Sequence, residues 1–568
     1  MKKIFSLTGI LGLVTLFAIT SCNENEFLKE EALAIYTADN TLATASDFQA
    51  AVNMLYKRPG QIFIYSTHDG FFALYHGTDL GYCTAAFDRL NTYKATMVPE
   101  NGLVNFLWDN SYFMVNQANL ILTRINDADI PAADKNVLRG EALFFRAFAY
   151  RILGNLFGGV PLITEEITAP RRDFVRATRE ETYNQAKNDL VEAVTLLGNI
   201  DAIKDGKISK QMAQHILSEI YISLGDYNNA VSTATAVIDY PAMKLMTERF
   251  GSKLDQPGDV YSDLFKTGNQ NRSSGNRESL WVVQYDYLNP ATLANDSWPW
   301  KFNPFYQNIT VTEGGKTTTA FKGVTAEKGG RGIAWMHPTE HVMSGIWEND
   351  QNDMRISENN IVRDFKIDNP ASPAFGKWFV ADGYSGKATA RQWFPFVMMK
   401  VTGDIPEDYW QRDANGNPLL TEFGEHLVTN NGNSTFRDMY MFRLAETYLL
   451  RAEANIGKND KVAAASDFNV LRARAKALPV DPSKVDIDYL LDERLRELYY
   501  EEPRMLTLCR MSKLAERNRK YNYSYTDPTG TYECAGTTIQ DYHNLWPIPF
   551  SEIERNTEAV LEQNPGYN

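Results

Sequence analysis

Apolar residues recur at three- and four-residue intervals over residues 44–240 and again over 441–568, and lose that rhythm in between. The spacing predicts helices over 44–56, 103–126, 133–157 and 179–197. In the second of these, Phe106, Phe113, Leu120 and Ile121 fall on one stripe, and Gly158-Gly159 is a stop signal for the third. Residues 209–239 predict a helix pair broken at Gly225-Asp226, and 442–475 a second pair turning at Gly457. Leu217-Ser218, Tyr221, Ala230 and Ala234 form a tetratricopeptide-like skeleton, in which small residues let antiparallel helices approach closely. A further helix is predicted over 486–514 with Pro503 near its middle, followed by loop over 521–549.

The middle stretch, 241–440, is rich in Gly, Asn, Asp, Thr and Trp, with short β-like runs such as 280–285; helices are expected to return at residue 435. Trp298-Pro299-Trp300, Gly314-Gly315 and Gly329-Gly330 punctuate it. The expected fold is mostly α: a tetratricopeptide-like helical-repeat scaffold with a loop-rich, irregular second lobe carrying short strands. The division is a leader over 1–21, an acidic tether over 22–43, a helical region over 44–240, a ligand-binding lobe over 241–440 and a C-terminal helical region over 441–568.

The N-terminus sharpens this. Lys2 and Lys3 precede an uncharged apolar run over 4–19, too short for a comfortable membrane span and typical of a secretory signal. Ile19-Thr20-Ser21-Cys22 closes the run and resembles a bacterial lipobox, which implies cleavage before Cys22 and its acylation. Cys83, Cys509 and Cys534 form no CxxC pair and read as buried free thiols, with a Cys509–Cys534 bridge the alternative. With 57 basic and 71 acidic residues, a net charge of −14, the 568-residue chain is a poor match to a phosphate-tracking nucleic-acid binder.

Catalytic motifs do not assemble. His337-Pro338-Thr339-Glu340-His341 matches an inverted zinc-peptidase string, but that chemistry needs both imidazoles on one helical face, and Pro338 disfavours helix at His337. A loop-to-helix junction is the better reading. Gly315-Lys316-Thr317 lacks the leading glycine of a phosphate loop, because residue 310 is Thr310. No cofactor is implied, and no EF-hand-like loop points to calcium.

The run Arg139-Gly140-Glu141-Ala142-Leu143-Phe144-Phe145-Arg146, continuing to Phe157-Gly158-Gly159-Val160-Pro161-Leu162, closely resembles the SusD/RagB family of Bacteroidetes outer-membrane lipoproteins. Asp353-Met354-Arg355, Arg443-Leu444-Ala445-Glu446, Arg451-Ala452-Glu453-Ala454, Glu493-Arg494, Glu497-Leu498, Leu545-Trp546-Pro547-Ile548-Pro549 and Asn564-Pro565-Gly566-Tyr567 follow in the family's order. On these strings the resemblance runs from Cys22 to Tyr567. Arg139, Glu141 and Arg146 read as ion-pair ties from a helix to the second lobe. Glu493, Glu497, Glu502, Arg504 and Arg510 read as a structural network, with Trp546-Pro547-Ile548-Pro549 as a rigid strap over it.

The resemblance implies a non-enzymatic, lipid-anchored lid on the outer face of the outer membrane. Such a lid captures oligosaccharide and delivers it to a SusC-like TonB-dependent transporter. A peptide-binding lid of the same fold and a lipoprotein hydrolase are the alternatives. Asn23-Glu24-Asn25-Glu26 resembles a surface-export signal. Aromatic rings meet the C–H faces of sugars, so Trp298, Trp300, Tyr306 and Trp335 are the expected platform, with Pro299 holding two indoles on an extended unit. Tyr75, His76, Asp79 and Tyr82 are the expected N-terminal contribution.

Overall fold

In the computed structural model the described residues are 42–64, 68–84, 89–286, 297–350, 352–430, 432–522 and 534–567. Cys22 and the leader lie outside them. The principal helices are α1 Ala45–Phe63, α2 His68–Tyr75, α3 Gly102–Arg124, α4 Ala132–Phe157, α5 Arg179–Leu196, α6 Lys210–Ser223, α7 Tyr227–Ile238, α8 Leu444–Gly457, α9 Lys461–Arg474, α10 Ile487–Leu498 and α11 Arg504–Arg510. Local chemistry sets their starts. Thr44 and Thr178 close capping boxes with Asp47 and Glu181, while Ser209, Asp226 and Asp460 cap α6, α7 and α9.

Helix α4 is the centre of the scaffold. Every residue from Gly140 to Phe157 is buried, so its charged groups must be paired. Arg146 grips Asp189 at 2.7 Å and Arg151 grips Glu219 at 2.6 Å. The partners of Arg139 and Arg146 are Glu192 and Asp189 on α5, and Glu141 accepts from the Tyr56 hydroxyl at 2.5 Å. These ties bind neighbours within the N-terminal helical region and do not reach the second lobe. The second helix pair stacks on the first: Ala230 on α7 packs with Leu450 and Ala454 on α8. Gly457 closes that contact, since a Cβ there would sit 2.5 Å from the Tyr227 ring.

Among the described residues the strands form four antiparallel pairs: β1 (Gly81–Cys83) with β5 (Met336–Pro338), β2 (Ser279–Val283) with β8 (Met439–Arg443), β3 (Thr310–Glu313) with β4 (Lys316–Thr319), and β6 (Ile361–Val362) with β7 (Val397–Met398). Residues 439–443 were expected to be helical and are strand. All five residues are buried in a strand that pairs with β2, and an apolar run of four before Arg443 carries no helical period. The helix expected over 486–514 is two, α10 and α11, parted at Tyr500 with φ +64° and restarted after Pro503.

One large core spans the N-terminal helices, the edge of the second lobe and the C-terminal helices. A smaller separate core of Tyr306, Phe321, Phe365, Ile367, Phe379 and Trp393 lies wholly within the second lobe. Between lobe and scaffold runs a buried ionic lattice. The Glu497 carboxylate accepts from Arg443 at 2.6 Å, from Arg355 at 3.1 Å and from Arg474, while Glu278 accepts from Arg443 at 2.7 Å and from Arg474 at 3.3 Å. The three guanidiniums hold the Glu497 carboxyl well below the usual range against the opposing effect of burial. Cys83, Cys509 and Cys534 are buried free thiols. No helix among the described residues is long and apolar enough to cross a membrane.

Candidate functional site

The expected platform divides once it folds. Residues Trp298–Phe302 make a short helix with Pro299 at its start, in place of the extended unit. In a helix, neighbouring side chains do not share a face. Trp298 therefore turns inward, 5% exposed, and its indole N–H donates to the Ile64 carbonyl at 3.1 Å. It packs edge-on to Tyr75 and beside Phe302, which itself lies against Tyr500. Tyr306 is fully buried in the small core, its hydroxyl accepting from the Thr325 amide.

The N-terminal candidates are buried as well. His76 is wedged between Phe71 and Phe72, and burial pushes its pKa down to about 3. Asp79 takes a bidentate clasp from Arg504, both bonds 2.8 Å, and a third bond from Arg517 at 2.7 Å. Tyr82 stacks on His337 across the β1–β5 pair, ring centres 4.9 Å apart. Tyr82, Tyr75 and Trp298 join the lobe to the scaffold, while His76 and Asp79 are tied within the scaffold; all are buried, which corrects the expectation that they face a ligand. His337 lies within strand β5, Thr339 caps the following turn, and His341 pairs instead with Asp492 at 2.8 Å. No metal-binding cluster occurs among the described residues.

Tyr75, Trp298, Tyr500, Lys400, Arg437 and Glu501 line an inter-lobe cavity of about 30 Å³. That is room for about one water, far below the roughly 300–1,000 Å³ of a ligand pocket. Burial pushes the Lys400 ammonium down to about 8, with Glu501 at 2.9 Å opposing the shift.

Trp300 behaves differently. It is half-buried and leans on Trp335 with ring centres 4.7 Å apart. Trp335, itself 7% exposed, contacts Phe72, over which the Arg89 guanidinium lies at 5.4 Å. This aromatic ladder rises from core to surface and ends at a rim of half-buried polar groups: Thr84, Arg89, Arg331 and Asn433. The rim is built on backbone. Trp300 donates to the Asn433 carbonyl and accepts from the Ile333 amide, while Arg331 donates to the Gly432 carbonyl at 2.6 Å. Gly329 and Gly330 have φ of +79° and +74°, and a Cβ on Gly330 would meet the Gly432 carbonyl at 2.5 Å. The Gly-Gly pair is therefore what lets Arg331 sit beside Trp300. Arg89, Arg331 and Asn433 were not singled out from sequence; the signal available was Gly329-Gly330 directly before an arginine.

With this geometry in place, the comparisons with known proteins decide the family. The sequence profile of the SusD family matches residues 277–567, and that of a family described as starch-binding and associating with the outer membrane matches 72–222. The chain belongs to the SusD family. SusD-like protein P2 of Formosa agariphila is 24% identical over 584 residues, covering 100% of both chains. The starch-binding protein SusD of Bacteroides thetaiotaomicron is 35% identical over 130 residues, 23% of this chain and 22% of that one. Among solved structures, a laminarin-binding SusD-like protein superposes with a TM-score of 0.63 at 20% identity, covering 92% of this chain and 99% of its own. A SusD homologue from Bacteroides thetaiotaomicron reaches a TM-score of 0.67 at 18% identity, over 93% and 98%. The mostly helical scaffold with an irregular lobe is thus the SusD fold.

Proposed function

We propose that this SusD-family chain is a lipid-anchored protein of the outer-membrane surface, tethered through Cys22. It binds oligosaccharide and passes it to a SusC-like TonB-dependent transporter, without performing chemistry on it. The observation that carries the reading is the match to the SusD family along the chain, with relatives named for binding starch and laminarin. The ligand rests on the rim of Trp300, Arg89, Arg331 and Asn433. A half-buried indole offers a flat apolar face, and guanidinium and amide groups donate to sugar hydroxyls.

The lattice carboxylates support binding over hydrolysis. Glu493, Glu497 and Glu502 are each committed to arginine partners inside the fold, whereas glycoside hydrolysis needs two carboxyl groups flanking a cleft. The arginines on the rim favour one second reading, a lid for peptide with a carboxylate at the rim. Native affinity electrophoresis of the acylated or soluble protein in gels containing laminarin, soluble starch or a neutral mannan tests the first reading. Retardation in at least one gel, with no release of reducing ends, is expected; unretarded migration in all, with capture of acidic peptides, favours the second.

A further inference from the structure

Four aromatic side chains are strongly exposed among the described residues, and three of them, Phe375, Trp378 and Phe423, meet on one spot of the second lobe. Phe375 and Phe423 stack nearly parallel, 13° between planes, with centres 5.3 Å apart. The Lys366 ammonium lies 5.3 Å from the Phe423 ring and 5.3 Å from the Trp378 ring, so the three rings and the cation form one continuous surface. Their fractional exposures are 39%, 44% and 39% for Phe375, Trp378 and Phe423.

The patch is held rigidly. Its residues alternate along the chain with members of the small core: Phe365 and Ile367 point in on either side of Lys366, and Ala374 and Phe379 flank Phe375 and Trp378. The backbone is pinned by Gly376 and Phe379 donating to Ile367 and Phe365, and by the Trp378 amide donating to Asp382 at 2.7 Å. Phe423 sits at a hairpin tip whose Glu422 reaches Lys322 at 3.4 Å. An exposed aromatic cluster leaves apolar surface in water, and such a contiguous patch often marks a contact site.

Extent decides what covers it. Two-fifths of the roughly 150–250 Å² that such a ring carries amounts to roughly 200–300 Å² for the three. Leu419 and Leu420 on the same hairpin bring this to no more than about half of the roughly 800 Å² per side of a specific protein interface. A short run of pyranose rings matches it. Sugars present apolar C–H faces to the rings and hydroxyls to the cation between them and to Glu422 and Asp382 at the edge.

We propose that Phe375, Trp378, Phe423 and Lys366 form a second glycan-contact surface, separate from the Trp300 rim, which holds long chains while the rim takes a shorter segment. This rests on the glycan-binding reading above. Two linked contacts raise avidity for a polymer by an effective-concentration gain that a short oligomer cannot share. The test compares wild type with Trp378→Ala and with a Phe375→Ala/Phe423→Ala double variant, on laminarin and soluble starch polymers and on short oligosaccharides cut from each. Both variants should lose about tenfold or more in polymer affinity, keep oligosaccharide affinity within about twofold, and melt as wild type does. Unchanged polymer retardation in both variants overturns the second surface while leaving the rim standing. So does unchanged retardation coupled with lost co-purification of a β-barrel partner, which makes the patch a protein interface. A wild type that binds no oligosaccharide defeats the glycan-binding reading itself.

Discussion

Trp298 and Trp378 stand in the same lobe and meet opposite fates. Trp298 lies 5% exposed with its indole N–H satisfied by Ile64, amid Tyr75, Phe302 and Tyr500. Trp378 lies 44% exposed with a lysine beside it. The first ring belongs to the seam that joins lobe and scaffold; the second stands over the small core of the second lobe, beside Lys366. A tryptophan in a loop-rich lobe is thus no pointer to a ligand by itself. What separates the two is whether another part of the chain reaches it.

The contrast is broken most violently at the ionic lattice behind the seam. Glu497→Ala leaves Arg355, Arg443 and Arg474 buried around an empty place, and removing one partner of a buried pair costs roughly 3–5 kcal/mol. The denaturant midpoint should collapse, and a midpoint near wild type would show that water enters the lattice freely.

Trp298→Ala should come next, at roughly 3–5 kcal/mol for a buried aromatic whose removal leaves a cavity among Tyr75, Phe302 and Tyr500. Chemical denaturation reads the loss directly. A wild-type stability would mean that the seam opens in solution and that Trp298 is available to ligand after all.

Acid should destabilise the fold in two steps. Buried His76 and His215 are pushed down to about 3, and His337 to about 4, so in each the unfolded state takes up its proton first. Their contribution is present above pH 6.5 and is lost as pH falls below it. Glu493 and Glu219 are held down to about 2 by arginines, so theirs is present above about pH 4.5 and lost as pH falls toward 2. The raised carboxyls of Glu141 and Glu446 oppose this in part. The melting temperature should decline from pH 6.5 downward and more steeply below 4.5. A flat profile to pH 3 would contradict the burial of these groups.

The smallest stability effect belongs to the exposed cluster. Trp378→Ala should change folding free energy by within about 0.5 kcal/mol, as surface substitutions usually do. A loss comparable with that of Trp298→Ala would erase the distinction between the two regions.

Much of the scaffold is legible in the sequence because its signals are local. Thr44, Thr178, Ser209 and Asp226 announce helix starts within a few residues of the turns they cap. The site is not legible in that way. Trp298-Pro299-Trp300 reads as an extended pair, yet Pro is welcome in a first helical turn, and the partner that buries Trp298 lies at Ile64. Asp79 is held by Arg504 and Arg517 and Tyr82 pairs with β5, partners hundreds of residues away that no local pattern reveals. Phe375 and Trp378 lie more than forty residues from Phe423 in sequence, and the three become a cluster only when a hairpin brings Phe423 beside Phe375.

The proposed seat for sugar is the rim where the buried ladder reaches the surface. Isothermal titration of short neutral oligosaccharides into wild type, Trp300→Ala and Arg331→Ala tests it most directly. A ring contributes roughly 0.5–1.5 kcal/mol beyond its buried area, so Trp300→Ala should weaken binding at least several-fold. Arg331→Ala should weaken it comparably while leaving the melting temperature unchanged. Wild-type affinity in both variants would place the ligand elsewhere.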